Sequence, residues 1–358
     1  MKIAQVATSW LRVPPENYGG AEAVIHQLTE GLLDRGHVVT LFSAGDAKTR
    51  AKIVSCIDKS PGLNNENTIN INFRSRYYKT TMMPLFSEER FDLIHWHISY
   101  DLLPYLTAQL SKDIPAVITF HNYYDNTEDI FSENSKSYNI ALSKSFHAQV
   151  PVKFFATVYN GINIKDFAFN PDYNGQKIVW IGRFSPVKGV DIAINIADKT
   201  KTKLTLAGQK KKTDYFVKTI EPAIKKSGYV DFIGPVAGIE KSRVLGEAKL
   251  FINPIRWDEP FGLVVPEANA CGTPVVAYAR GAMSELIKDG FNGHLVKPGD
   301  IDGMIKAAKK IYDMPEAEYR QMRANCREHV EKNFTVEKMV DGYEAVYKRV
   351  IADFKRKH

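Results

Sequence analysis

Cysteine is scarce. Cys56, Cys271 and Cys326 are the three in 358 residues. They lie far apart, are odd in number and form no CxxC pair, which excludes a disulfide framework and a cysteine zinc cluster and fits a reducing cytoplasm. Long apolar runs are missing as well. None approaches the roughly 18 residues of a membrane-spanning helix, and the opening Met1-Lys2-Ile3-Ala4-Gln5-Val6-Ala7 reads as a first strand rather than a signal sequence. No block of like charge stands out. The formal charge is +7, but the basic residues are scattered among many acids with no arginine-rich arm. That argues against nucleic acid and for an anionic ligand or an anionic membrane surface. The glycine pattern GxGxxG is absent, so a dinucleotide fingerprint is unsupported. There is no short internal repeat.

What remains is ordinary globular material, 44% hydrophobic and 25% charged. Its length exceeds the usual size of one core and implies two domains. Apolar runs alternate with helical patterns in each half. Strands are expected at Ile3–Ala7, His37–Ser43, Asp92–Trp96, Ala116–Phe120 and Asn139–Ser143. Gly19-Gly20-Ala21-Glu22 opens a helix whose Ala21, Val24, Ile25, Leu28 and Leu32 follow the 3.6 period, and Gly36 stops it. Phe167 to Gly175 reads as a linker. After it come strands at Lys177–Gly182, Lys203–Gly208, Tyr229–Gly234, Lys249–Pro254 and Pro274–Tyr278, separated by helices beginning at Val190, Asp214 and Ile239. Strand–helix alternation means parallel sheets covered on both faces. The tail carries one apolar helical stripe, Val336, Met339, Val340, Tyr343, Val346, Tyr347, Val350 and Phe354.

Open parallel sheets bind ligands beyond the carboxyl ends of their strands. Gly19, His95, His97, His121, Arg183 and Glu259 are all expected there. Gly182-Arg183-Phe184-Ser185-Pro186-Val187-Lys188-Gly189 offers a guanidinium fork and an ammonium, both suited to a diphosphate, between two glycines that permit tight turns. The amides of Gly19 and Gly20 open a helix and suit a phosphate. In Trp257-Asp258-Glu259-Pro260-Phe261-Gly262-Leu263-Val264-Val265-Pro266-Glu267 two carboxylates bracket Gly262, whose backbone can approach a ligand closely. Glu259 precedes a helix start and Glu267 lies within the helix. If the stretch is mostly helical, the pair spans roughly 10 Å. Phosphate held by backbone and hydroxyls held by carboxylates together describe a sugar nucleotide. His95-Trp96-His97 and His121 admit metal ligation, a sugar contact or ordinary loop histidines. No clear fourth ligand exists, so a sugar contact is preferred, His121 first and His97 second. Asp300-Ile301-Asp302 is formally a DxD, but its place after Lys297-Pro298-Gly299 reads as a helix cap.

Taken in order, these segments resemble the family 4 glycosyltransferases with the GT-B fold. The resemblance covers nearly the whole chain: Gly19-Gly20-Ala21-Glu22, Asp92 to His97, Thr119-Phe120-His121, Tyr159-Asn160-Gly161-Ile162, Gly182-Arg183 with Lys188-Gly189, Glu259 with Glu267, Gly272 to Ala277, Ser284 to Ile287, and Gly293 to Asp300. It implies two Rossmann-like doubly wound α/β domains facing a cleft. Residues 1–168 would form the acceptor-side domain and 169–334 the donor domain, with a last helix at about 335–358 packing back on the first. It implies retaining transfer from a nucleoside-diphosphate sugar without a catalytic metal or other cofactor. Arg183 and Lys188 would hold the diphosphate, joined by backbone at Gly19, Gly20, Gly182, Phe261, Gly262, Leu263 and Val264. Glu267 would take the ribose, and Glu259 and His121 the donor sugar. His97, Glu22, Tyr18 and Asn122 are acceptor-side candidates. One departure stands out: a Ser-x-x-E lead-in common in the family is replaced by Ile255-Arg256-Trp257-Asp258.

Base usage in the family favours UDP over GDP, with glucose, N-acetylglucosamine and mannose open as sugars. The acceptor would be a glycan, a lipid-linked sugar or a small molecule, shaped by Thr8–Tyr18 and Tyr123–Lys136. Basic, aromatic Phe73–Lys79 would allow peripheral contact at the inner face of a membrane. The competing activities are an epimerase or hydrolase of sugar nucleotides on the same fold and a metal-dependent hydrolase built on His95, His97 and His121.

Overall fold

The computed structural model describes the chain except residues 9–10, 17–18, 56, 63–89, 99–112, 124–136, 151, 174, 211–212 and 358. It divides into two compact units, Met1–Gly161 with Val336–His358, and Ile162–Thr335.

The first unit is built on a seven-stranded sheet. Its elements are β1 (Lys2–Val6), α1 (Gly20–Asp34), β2 (Val38–Phe42), β3 (Lys52–Val54), β4 (Leu93–Ile98), β5 (Ala116–Phe120), β6 (Tyr138–Ala141) and β7 (Phe154–Thr157). The spatial order is β3-β2-β1-β4-β5-β6-β7, every pair parallel. β4 and β5 are buried along their whole length, as expected of strands covered on both faces.

The second unit holds a six-stranded parallel sheet. In chain order it runs β8 (Lys177–Ile181), α2 (Val190–Thr200), β9 (Leu204–Ala207), α3 (Glu221–Lys226), β10 (Val230–Gly234), α4 (Gly238–Gly246), β11 (Ala248–Asn253), α5 (Val264–Ala270), β12 (Val275–Tyr278), α6 (Met283–Leu286), β13 (Gly293–Val296), α7 (Ile301–Tyr312) and α8 (Glu316–Asn333). Its order, β10-β9-β8-β11-β12-β13, reverses direction between β8 and β11. A reversal of this kind leaves the loops after the two central strands side by side at their carboxyl ends. The Arg183–Lys188 motif follows β8 and the Trp257–Glu259 stretch follows β11, so topology alone brings them together.

The last helix, α9 (Val336–Lys357), belongs to the first unit. Met339, Val340, Tyr343, Val346, Tyr347 and Val350 are buried along the expected stripe. Asp300 caps α7, its carboxylate accepting from the Gly303 amide at 2.7 Å, which accounts for the DxD.

The segment expected as a linker is instead tied into the second unit. The Ala168 amide donates to Ser242 Oγ at 2.9 Å, and the Asn170 carbonyl accepts from two nitrogens of the Arg323 guanidinium. The crossing falls at Gly161–Ile162, where the Ile162 amide donates to the Phe334 carbonyl at 2.9 Å.

Candidate functional site

The site at the β8–β11 junction begins with two turns. After β8 the chain passes through exposed Arg183 and a short 3-10 turn, Pro186–Lys188. Gly189 ends that turn at φ +66, and a Cβ there would lie 2.0 Å from the Pro254 carbonyl oxygen. Only glycine lets the Lys188 turn sit this close to the end of β11. Lys188 then reaches Glu259, its Nζ donating to Oε2 at 2.5 Å. Trp257 Nε1 donates to the same Oε2 at 2.7 Å.

The second turn is fixed from two directions. Arg256 forms a fork on Asp191, Nη1 to Oδ1 at 2.9 Å and Nη2 to Oδ2 at 2.5 Å. Its backbone amide donates to the Val187 carbonyl at 2.7 Å and its Nη1 to the Pro186 carbonyl at 3.0 Å. The guanidinium therefore binds the Lys188 turn, the start of α2 and its own loop into one piece. On the far side, the Ala282 amide donates to the Glu259 carbonyl at 2.9 Å and the Gly281 amide to Asp258 Oδ1 at 3.1 Å. A Cβ at Gly281 would meet Glu259 N and O at 2.4 Å, so this approach also requires glycine. Burial raises the Tyr215 hydroxyl pKa, helped by Asp191, to which it donates at 2.7 Å. Asp191 itself is held below the ordinary carboxylate range: its hydrogen bonds to Arg256 and Tyr215 outweigh the opposing effect of burial.

Glu259 precedes α5 and Glu267 lies on it, as expected, but Glu259–Leu263 is not helical. The helical span between the carboxylates is therefore incorrect: Pro260 and Gly262, the latter at φ +92, lead the chain into the helix at Val264. Glu267 pairs with Lys241 of α4, a partner that sequence reading missed because nothing local links them. Phe261 is 2% exposed and packs against Phe334, so only its backbone is available to a ligand.

In the first unit, Gly19 caps α1 and Gly20 opens it, as expected. Glu22, expected as an acceptor-side candidate, is turned inward. It is buried, its Oε1 accepts from Thr8 Oγ1 at 2.7 Å, and burial raises its carboxyl pKa. His97 is the penultimate residue of β4, near its carboxyl end as expected, whereas His95 is interior. Their i, i+2 spacing puts them on one face. His95 Nδ1 meets the Tyr347 hydroxyl at 2.7 Å and Nε2 the Thr119 hydroxyl at 2.8 Å. His97 Nε2 donates to Gln5 Oε1 at 2.6 Å, and its Nδ1 lies 3.0 Å from His121 Nε2. With both nitrogens engaged in each ring, neither histidine offers a ligand to metal or sugar. His97 instead supports His121, which stands just past β5 and keeps part of its surface open. Burial pulls the His121 pKa down to about 3, leaving a neutral imidazole at physiological pH. Asn122 follows, its Oδ1 accepting from the Tyr123 amide at 3.0 Å. Tyr18, the segment Phe73–Lys79, Cys56, and most of Tyr123–Lys136 lie outside the described residues. Among the described residues no group of three or more His, Cys, Asp or Glu is placed to hold a metal ion, and no helix is long and apolar enough to cross a membrane.

Comparison with known proteins agrees along nearly the whole chain. The model of "Glycosyltransferase Family 4" matches residues 18–164 and that of "Glycosyl transferases group 1" residues 162–332. The N-acetyl-alpha-D-glucosaminyl L-malate synthase of Bacillus anthracis is 26% identical, the match covering 94% of this chain and 96% of that protein. Sucrose-phosphate synthase from Thermosynechococcus elongatus superposes with a TM-score of 0.80 at 20% identity, covering 98% of this chain and 99% of that one. Anabaena HepE, solved with UDP-glucose, superposes with a TM-score of 0.76 at 20% identity, over 98% of this chain and 100% of that one.

Proposed function

Since the chain belongs to the family 4 glycosyltransferases and has their two-domain GT-B fold, we propose that it moves a hexose or N-acetylhexosamine, with retention of configuration, from a nucleoside-diphosphate sugar to an acceptor hydroxyl. The observation that carries this reading is the Lys188–Glu259 ion pair at the β8–β11 junction, with Arg183 on the same β8 loop and Glu267 on α5. A donor would divide the pair. The ammonium turns to a phosphate oxygen and the carboxylate accepts from a sugar hydroxyl. Arg183 adds a bidentate fork for the diphosphate, with backbone amides of Gly262 and Leu263. Glu267 takes the ribose hydroxyls. On the first unit, His121 hydrogen-bonds a sugar hydroxyl as a neutral imidazole.

Negative charge grows on the diphosphate as the glycosidic bond breaks. Arg183 and Lys188 stabilise it in place, which is electrostatic catalysis requiring no covalent nucleophile. The leaving phosphate oxygen accepts the acceptor's hydroxyl proton as the new bond forms on the same face. The transfer as proposed needs no metal ion. UDP is the preferred nucleotide, supported by the UDP-glucose bound to HepE. The acceptor is a sugar, a lipid-linked sugar or a small molecule, reached in the cytoplasm or at the inner membrane face.

A thermal-shift panel of nucleotide sugars tests the donor. A ligand at about 100 times its Kd adds about 2.7 kcal/mol to the folded state, so UDP-glucose or UDP-N-acetylglucosamine should raise the melting temperature by several degrees. If GDP-mannose alone shifts it, the UDP preference is wrong; if none does, the donor assignment falls. Product analysis with the bound donor and no acceptor separates transfer from epimerisation or hydrolysis.

A further inference from the structure

Among the described residues, Glu259 receives its two named side-chain donors on one oxygen. Lys188 Nζ and Trp257 Nε1 both converge on Oε2, at 2.5 and 2.7 Å. The Trp257 indole serves Lys188 as well, whose Nζ lies 5.4 Å from the ring centroid. Resting on the donor reading above, we infer that Trp257 is a positioning residue that fixes the rotation of the Glu259 carboxylate, so that Oε1 is the oxygen offered to the donor sugar. Trp257 stands where the family's Ser-x-x-E lead-in is replaced, so this device belongs to this chain's own loop.

Three features make the indole suited to the task. An indole N–H donates and has no lone pair to accept with, so it never competes with Glu259 for a sugar hydroxyl. It does not titrate, so the donor itself is present at every pH. Its donation to an ionised acceptor is charge-assisted and directional. The loop that carries it is fixed at both ends, by Arg256 on the Val187 carbonyl and by Gly281 and Ala282 on Asp258 and Glu259. When Lys188 turns to the diphosphate, Trp257 is the named donor that stays on Oε2. Without it the carboxylate is free to rotate once Lys188 has left, and the sugar's contact is weakened while that of the nucleotide is not.

The test compares UDP with UDP-glucose by calorimetry on the full chain. Trp257→Phe keeps an aromatic face for Lys188 and removes the N–H. It should bind UDP within about twofold of the parent and UDP-glucose about tenfold more weakly, the loss expected of one hydrogen bond to a charged group. Trp257→His, which retains a ring N–H, should recover part of the difference and serves if the phenylalanine variant does not fold. In a Glu259→Gln background the Trp257→Phe change should add nothing further, because the two act as one unit. Equal losses for UDP and UDP-glucose would reveal a general folding role and overturn the inference, as would an unchanged ratio. A parent protein that binds neither ligand overturns the UDP-donor reading itself, a result distinct from either of those.

Discussion

At the scale of single residues, Arg256 shows how little room the loop after β11 has. Its fork on Asp191, its bond to the Pro186 carbonyl and its amide on Val187 lock the turn that carries Lys188. Arg256→Lys keeps the charge but cannot reproduce a planar fork together with a carbonyl contact. We expect transfer turnover to fall about tenfold, a little over 1 kcal/mol of transition-state stabilisation, with the circular-dichroism spectrum unchanged. Steady-state kinetics decide it, and parental turnover in the lysine variant would remove Arg256 from the positioning set. The proposed roles of Arg183, Lys188 and the two glutamates rest on sequence signals that were legible because each residue lies within a short, ordered motif. Arg256 and Trp257 could be seen there only as a departure from a pattern, since their partners, Asp191 among them, come from other segments. Lys241 gave no signal at all, since its meaning depends on α4 lying beside α5.

At the scale of elements, β4 and α9 make the clearest lesson. Ile94, Trp96 and Ile98 pack into the core on one face of the strand, and His95 and His97 carry the other. That second face is a polar layer running from Gln5 on β1 through His95 and His97 to Thr119 on β5, closed by Tyr343 and Tyr347 of α9. Parallel strands buried on both sides hide this alternation, and the tyrosines that complete it are far along the chain. The apolar stripe of α9 was readable; its hydroxyls' partners were not. The short strands β3, β7 and β13 were not among the expected strands. Tyr347→Phe would strip a partner from Gln5 Nε2 and His95 Nδ1. It should destabilise the first unit by about 1–3 kcal/mol, measured by urea unfolding. UDP affinity should stay within twofold, since Glu259 and Lys188 belong to the other unit; a loss of UDP binding as large as the stability loss would contradict this.

For the molecule as a whole, the buried imidazoles set a pH dependence. Burial holds His95 and His97 well below the ordinary histidine pKa, and His121 at about 3. An unfolded chain protonates these rings near pH 6.5, whereas the fold keeps them neutral. Below that pH the unfolded state therefore binds more protons, and stability falls as pH falls. Each ring contributes up to about 1.4 kcal/mol per pH unit. Glu22 works in the opposite sense, since burial raises its pKa and protonation suits the fold. The urea midpoint of the first unit should drop between pH 7.5 and 5.5, and His97→Gln should flatten that slope. An equal midpoint at both pH values would show that the rings protonate within the fold. The chain's route between the units has a further consequence, for synthesis. Residues 162–335 are translated before Val336–Lys357 leave the ribosome, so the second unit has its full set of strands while the first still lacks its last helix. The polar layer of Gln5, His95 and Thr119 has no tyrosines to face until the second unit has been made. The first unit therefore cannot be completed before the second has been made, against the usual N-to-C order, and a message truncated after Thr335 would yield a complete second unit beside an unfinished first.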